Sequence, residues 1–328
     1  MARSGADRPF SAHEYFLRLG SKFPVSVNFH LTLMNKLKSE RHHWWPRCVS
    51  RHWAASDGTT GWIKPDGSEK RIPPDKLGMI GNGHHIKLGR TARQSTQFDE
   101  SFEDQFDTAD GNFPAVITWL EGLERRPIAG DDLRPRFVPQ ESSDDQLRAL
   151  TECVVSLAVR GPMNREASVS LAENFRGPLQ SPERNAIIGL NMRQSQRFIA
   201  DSIGCRAKFL VLFSSGAEFI YGDGFFHNIK AVVNAPLAPK ILAPITPKMS
   251  VAISRPTMFC TEPRLVTLVL TGDEVERCNH AVQVYSREAL FYRNDRPILD
   301  SSFQSGVHRE YSSPINPIDA LLNALLAI

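Results

Sequence analysis

The chain has 328 residues, 41% of them hydrophobic and 23% charged, with 39 lysines and arginines against 36 aspartates and glutamates and a formal charge of +3. These proportions exclude a wholly disordered chain and a protein whose entire surface grips nucleic acid, but they leave room for a local basic patch. The length suits one large domain or two modest ones.

No stretch of about 18 apolar residues reads as a transmembrane helix, so no membrane partner is expected. The N-terminus, Met1-Ala2-Arg3-Ser4, lacks an apolar signal core, and the expected location is the cytoplasm. Five cysteines (Cys48, Cys153, Cys205, Cys260 and Cys278) are scattered without a C-x-x-C pair. In a reducing compartment they read as small buried hydrophobes, not as disulfides or zinc ligands.

In chain order, the first 40 residues read as mostly helical. Residues 41–90 are rich in tryptophan, glycine and proline, and Thr60-Gly61-Trp62-Ile63 before Pro65-Asp66-Gly67 reads as a strand and a turn. Phe102, Phe106, Ala109, Phe113, Val116 and Leu120 step by three or four along one helix, which Pro114 is expected to kink or restart. Residues 127–143 hold Pro127, Pro135 and Pro139 without a period. The whole chain, 1–328, reads as a single domain, and any subdivision falls in that stretch.

Leu147, Leu150, Val154 and Leu157 give a second helix, stopped by Gly161-Pro162. Ser181-Pro182-Glu183 opens a third, with Ser181 as N-cap, running to Ile203. Lys208–Phe213 and Glu218–Tyr221 then read as a hairpin about Ser214-Ser215-Gly216. Met249–Ile253 and Leu265–Leu270 read as strands, 273–290 as a helix capped by Asp273, and 317–328 as an apolar terminal helix. The expected fold class is α+β, with a helical N-terminal half and a mixed or antiparallel sheet formed largely by the C-terminal half.

Chemistry concentrates in a few places. Arg41-His42-His43-Trp44-Trp45-Pro46-Arg47 and Arg51-His52-Trp53 gather arginine, histidine and tryptophan, and His84-His85 follow Gly81-Asn82-Gly83. Histidine serves as metal ligand, proton shuttle or general base; it is equally a core residue bonded to backbone. Asp99, Glu103, Asp107 and Asp110 are spaced to share one helix face. A divalent cation held with imidazole, as in Mn, Fe or Zn sites, would balance them; so would water, or Arg90 and Arg93. Arg160 at a helix C-terminus complements the dipole there. Gly222-Asp223-Gly224 reads as a strand-end acid or as a tight turn using its own backbone. A P-loop, a G-x-S-x-G elbow and an H-E-x-x-H helix are absent from the sequence.

In the order of several short motifs the chain resembles a widespread bacterial family of unknown function that begins with a His-His-Tyr-Val-Pro-x-Phe type segment, here His42-His43-Trp44-Trp45-Pro46-Arg47. The family's paired acids match Glu103 and Asp110, its Arg-x-Pro matches Arg160-Gly161-Pro162, and its Ser-Asp-Asn-Pro matches Gly222-Asp223-Gly224, keeping only the acid. Its Pro-Leu-Ser-Pro matches Pro244-Ile245-Thr246-Pro247, and its helical asparagine matches Asn279. The resemblance brings no established reaction.

Two functional expectations stand side by side. One is a metal-dependent hydrolase of the nuclease or phosphoesterase type, with His43, Glu103, Asp110 and Asp223 around a divalent metal ion, His43 and Asp223 as acid and base, and Arg160 binding an anion. The other is a non-catalytic module that binds nucleic acid through Arg47, Arg51, Trp44 and Trp45, or binds protein. A scaffold that oligomerises through the C-terminal helix is a third.

Overall fold

The computed structural model describes residues 40–88, 96, 99–128, 130, 132–229, 238–311 and 316–327, all within one compact unit, Leu37–Ile328. In chain order, β1 (Arg41–His43), the short helix α1 (Arg47–Ser50), β2 (Thr60–Ile63), β3 (Glu69–Ile72), β4 (Met79–Gly81), β5 (His85–Ile86) and β6 (Glu100–Ser101) come first. Helix α2 (Asp107–Glu121) and strand β7 (Val138–Gln140) lead into the long helices α3 (Asp144–Arg160), α4 (Pro162–Arg176) and α5 (Ser181–Ile203). Strands β8 (Lys208–Ser214), β9 (Tyr221–Gly222), β10 (Lys240–Thr246), β11 (Met249–Ser254) and β12 (Leu265–Leu270) follow. Helix α6 (Gly272–Tyr285), β13 (Leu290–Tyr292), and helices α7 (Ser301–Gln304) and α8 (Pro317–Leu326) close the described chain.

The protein is α+β, but the expected helical N-terminal half is overturned. Residues 41–101 carry six short strands among the described residues, and helices are spread through the rest of the chain. The tryptophans, glycines and prolines of this stretch favour pleated strands and turns over helix. The sheets are therefore not a property of the C-terminal half alone, since β2 and β3 join β13 and β9 in one of them. The helix expected over the first 40 residues lies outside the described residues, as do Arg90 and Arg93.

The larger sheet has the order β10-β11-β8-β12-β7, with β8 and β12 parallel and every other pair antiparallel. Period-2 alternation splits its side chains between two apolar layers. Phe209, Val211 and Phe213 of β8 join a core with Leu150, Val154, Leu157, Met192 and Ile199 of α3 and α5. Leu210 and Leu212 face the other way, onto Val275 and Cys278 of α6 and Ile318, Leu322 and Leu325 of α8. A sheet buried on both faces reads as a continuous apolar run, as Phe209–Phe213 does. The apolar stripe of α8 is thus spent within the chain, each side chain contributing roughly 1.5–3 kcal/mol of burial.

Other departures have local causes. Lys208–Ser214 and Tyr221–Gly222 are not a hairpin: they lie in different sheets. The hairpin is β10–β11, where Thr246 faces Met249 across a two-residue turn. Pro244 is tolerated because β10 is an edge strand with a bulge beside it. Gly161-Pro162 ends α3 and at once starts α4, since proline at the first helical position loses no needed donor. Helix α3 begins at a reciprocal Ser143–Gln146 capping box, and α6 at one formed by Thr271 and Glu274, with Asp273 in the first turn.

The smaller sheet, β3-β2-β13-β9, is antiparallel throughout. Tyr221 of β9 stacks on Trp45 at 4.5 Å and 4°, and Phe291 of β13 stacks on Trp45 at 4.8 Å. Trp53 meets Trp45 edge-on at 5.3 Å. Such pairs add about 0.5–1.5 kcal/mol each beyond burial. No helix among the described residues is long and apolar enough to cross a membrane.

One buried ion pair ties α6 to the edge of the larger sheet. Arg136, just before β7, places both terminal nitrogens on Glu274 of α6 at 2.8 and 2.7 Å. Burial alone raises the Glu274 carboxyl, but Arg136 and the Thr271 amide outweigh it and hold it below the ordinary value of 4.5. A depressed carboxyl contributes stability that is present above the unfolded pKa and lost as pH falls through the folded one. Glu274→Gln, which preserves the cap, is expected to lower the unfolding free energy by about 3 kcal/mol at neutral pH. Urea denaturation at several pH values checks this: the gap between wild type and variant should close as pH falls below 4.5.

Candidate metal centre

Strand β1 pairs with β4 in the register Arg41↔Gly81, His42↔Ile80 and His43↔Met79. Successive side chains of a strand point to opposite faces, so His42 leaves the ribbon on one side while Arg41 and His43 leave on the other. The turn after β4 then returns the chain to the His42 side. Asn82 takes a positive φ of 53°, which asparagine tolerates better than most residues. Its amide donates to Glu40 O at 2.8 Å, its Oδ1 accepts from the Glu40 amide at 3.3 Å, and its carbonyl accepts from the His85 amide at 3.1 Å. This clamp sets Glu40, His42, His84 and His85 side by side.

The ring centroids of His84 and His85 lie 4.9 and 4.5 Å from that of His42. His42 is 4% exposed and His84 and His85 are 1% exposed each. Helices lock the loop from behind: Arg165 of α4 donates to Gly83 O at 2.8 Å, and Asn185 of α5 donates to His85 O at 3.3 Å. Two carboxylates close the cluster. Glu40 Oε2 lies 3.7 Å from His42 Nε2 and 3.6 Å from His85 Nε2. Glu103 Oε2 lies 3.7 Å from His42 Nε2 and hydrogen-bonds His84 Nδ1.

The ligand atoms of Glu40, His42 and His85 all lie within 4.8 Å of one another. A tetrahedral ion with bonds of about 2.1 Å separates its ligand atoms by about 3.4 Å, close to the 3.6 and 3.7 Å seen here. Those distances are too long for hydrogen bonds. His42 Nε2, His84 Nε2 and both nitrogens of His85 are buried without a hydrogen-bond partner. Burial pushes the His42 imidazole down to about 4, against the opposing pull of Glu103, and pushes His84 and His85 down as well. Neutral imidazole is the form that binds metal. The His84 amide donates to His42 Nδ1 at 3.3 Å; this long contact is what coordination through Nε2 gives up.

Of the residues expected to share a metal, the structure places only Glu103 in this cluster. His43 leaves from the opposite face of β1, where its Nε2 accepts from Arg47 Nε at 3.0 Å. Asp110 is bound by Arg160 of α3, with contacts of 2.5 and 3.1 Å. Arg160 is 1% exposed and lies 4.6 Å over the Phe106 ring. Its guanidinium is committed to Asp110. Asp223 is also committed: Oδ1 accepts from the Arg287 and Ala289 amides at 2.9 and 3.2 Å, and Oδ2 accepts from the Glu288 amide at 3.0 Å. Its flanking glycines serve packing, since a Cβ on Gly224 would lie 1.9 Å from Tyr285 O.

The acidic row does not share one helix face either. Helix α2 begins only at Asp107, Glu103 sits in the 3-10 turn Glu103–Phe106, and Asp99 precedes both, accepting from the Leu88 amide at 3.0 Å. Trp45 is 0% exposed and Trp44 7%, so Trp45, stacked on both Tyr221 and Phe291, offers no face to a base. Arg47 and Arg51 are exposed. Glu40 is the member of the cluster that sequence reasoning missed altogether, and among the histidines it singled out it assigned the metal to His43 instead of to His42, His84 or His85. The usable signals were strand alternation, which separates His42 from His43, and the turn-forming Gly81-Asn82-Gly83 before the second histidine pair.

Comparison with protein-family models, with curated proteins and with solved structures found no match.

The Arg160–Asp110 pair is a structural tie between α3 and α2. Asp110→Asn is expected to lower stability by about 2 kcal/mol, less than the 3–5 of a fully enclosed pair, because the Asp110 side chain is 38% exposed. Chemical denaturation measures this. An unchanged midpoint would mean that Arg160 finds a second counter-charge.

Proposed function

We propose that the protein is a metal-dependent hydrolase of the nuclease or phosphoesterase type, with a divalent transition-metal ion held by Glu40, His42 and His85. The observation that carries this reading is the convergence of buried, unpartnered imidazole nitrogens on the carboxylates of Glu40 and Glu103. Imidazole with carboxylate suits Zn, Mn or Fe over Mg or Ca, which prefer all-oxygen ligands. Three protein ligands leave a coordination position open, as catalytic sites do.

An ion held by Glu40, His42 and His85 would supply Lewis acidity and would activate water for attack. Glu103 stands beside that position. Burial raises its carboxyl, but the hydrogen bond with His84 outweighs this and holds it below the ordinary range, so it is charged at neutral pH. A charged carboxylate there accepts a proton, and His84, hydrogen-bonded to it, orients it. Arg165 brings a cation to the loop that carries His84. Glu40 and Glu103, with side chains 58% and 44% exposed, form the open side toward solvent. The reading is compatible with the resemblance to the bacterial family, since His42 and Glu103 occupy two of its motif positions.

Metal analysis of the purified full chain by mass spectrometry, with titration by Zn, Mn and Mg, tests the site. About one equivalent of a transition metal is expected. His42→Ala and His85→Ala should each weaken it by at least about 100-fold, since even outer-shell changes cost 10–100-fold. Metal-loaded protein should hydrolyse nucleic acids or phosphomonoesters, and Glu103→Gln should lower turnover more than metal affinity. Stoichiometric metal with no such hydrolysis would retain the metal site and remove the enzyme.

A further inference from the structure

On the far side of the β1–β4 ribbon from His42 lies a second concavity, a cleft of about 790 Å³. Four cationic side chains reach it from four separate segments: Arg41 from β1, Lys64 just after β2, Lys76 from the turn Pro74–Lys76, and Arg287 just before β13. Arg41 belongs here because it alternates with His42 along β1. Its neighbours in the register, Gly81 and Met79, line the cleft too. Arg41, Lys64 and Lys76 are exposed, and among the described residues none of the three forms an ion pair, although Lys64 is near enough to Asp66 to help lower its carboxyl. Arg287 lies 3.8 Å from its chain neighbour Glu288. The other acid in the lining is Asp223, whose two oxygens are held by three backbone amides.

The wall beside these cations is aromatic. Trp62 is half-buried, with Phe291 at 6.4 Å behind it and Lys64 Nζ 5.8 Å from its ring centroid. An indole that keeps part of its surface open, with Lys64 beside it and Arg41, Lys76 and Arg287 lining the same cleft, suits a ligand that carries both a planar ring and phosphate. The volume falls in the range of about 300–1,000 Å³ for small-ligand clefts. A duplex offers no unstacked base to such a wall.

We infer that this cleft binds a nucleotide unit, its phosphate on Lys64, Lys76, Arg41 and Arg287 and its base against Trp62. The unit comes either free or within single-stranded nucleic acid. The inference does not depend on the metal centre, which faces the other side of the ribbon.

The test uses the full chain with a fluorescein-labelled single-stranded oligonucleotide in one arm, read by anisotropy, and with AMP in the other, read by quenching of tryptophan emission. Lys64→Ala, Lys76→Ala and the double variant alter exposed side chains, and circular dichroism confirms that they fold. The double variant should weaken binding at least 10-fold. In the oligonucleotide arm it should also flatten the slope of log affinity against log salt by about 1.4, at about 0.7 per phosphate contact. Oligonucleotide binding without AMP binding assigns the strand, and AMP binding of equal strength assigns the free nucleotide. Chelation by EDTA should leave both arms unchanged. Absence of binding in both arms at low salt, or binding that the double variant does not weaken, overturns the inference.

Discussion

The pairing of β1 with β4 is the constraint on which the functional surface depends. Three residues of antiparallel ladder send His42 to one face and Arg41 with His43 to the other. Gly78 anchors the ribbon to the core. Its carbonyl accepts from the Trp44 and Trp45 amides at 2.8 and 3.4 Å, and at its φ of +61° a Cβ would stand 2.4 Å from that of Trp45. Since Trp45 is itself wedged between Tyr221 and Phe291, the ribbon inherits the rigidity of the aromatic core. A slip of one residue in this register would exchange the two faces.

The imidazole cluster is energetically awkward as protein alone. Each buried nitrogen without a hydrogen bond costs roughly 1–3 kcal/mol, and lowered basicity prevents the rings from escaping that cost by taking up protons. Such a group persists only where the surroundings fix it. Here Asn82 fixes Glu40 and His85, Arg165 fixes Gly83, and Asn185 fixes the carbonyl of His85. Several independent elements thus hold an arrangement that none of them would favour alone.

How much of this the sequence discloses depends on the range of the interaction. Local signals were legible. Leu147, Leu150, Val154 and Leu157 step along α3, and Leu265–Leu270 forms the strand its apolar run implies. The histidine-rich stretches and Glu103 also pointed toward the site. Pairing between distant segments was not legible. Nothing in Lys208–Phe213 tells that its partners are β11 and β12 and not the nearby Tyr221. The choice between His42 and His43 rests on which face of a three-residue strand meets the turn at Asn82. Asp110 and Asp223 look like free acids until a guanidinium and three amides reach them.

The connectivity of the larger sheet has a consequence for biosynthesis. Strand β8 lies between β11 and β12, both of which come later in the chain, and β7 waits for β12 across more than a third of the protein. While the chain is leaving the ribosome, β8 therefore emerges with both hydrogen-bonding edges vacant and with Leu210 and Leu212 uncovered, because α6 and α8 follow later still. Pairing with β11, once the β10–β11 hairpin has formed, fills one edge of β8, and the other stays open until residue 265 is available. Apolar strands with open edges are templates for intermolecular pairing. Nascent chains of this protein thus spend a long interval in the state that holdase chaperones recognise.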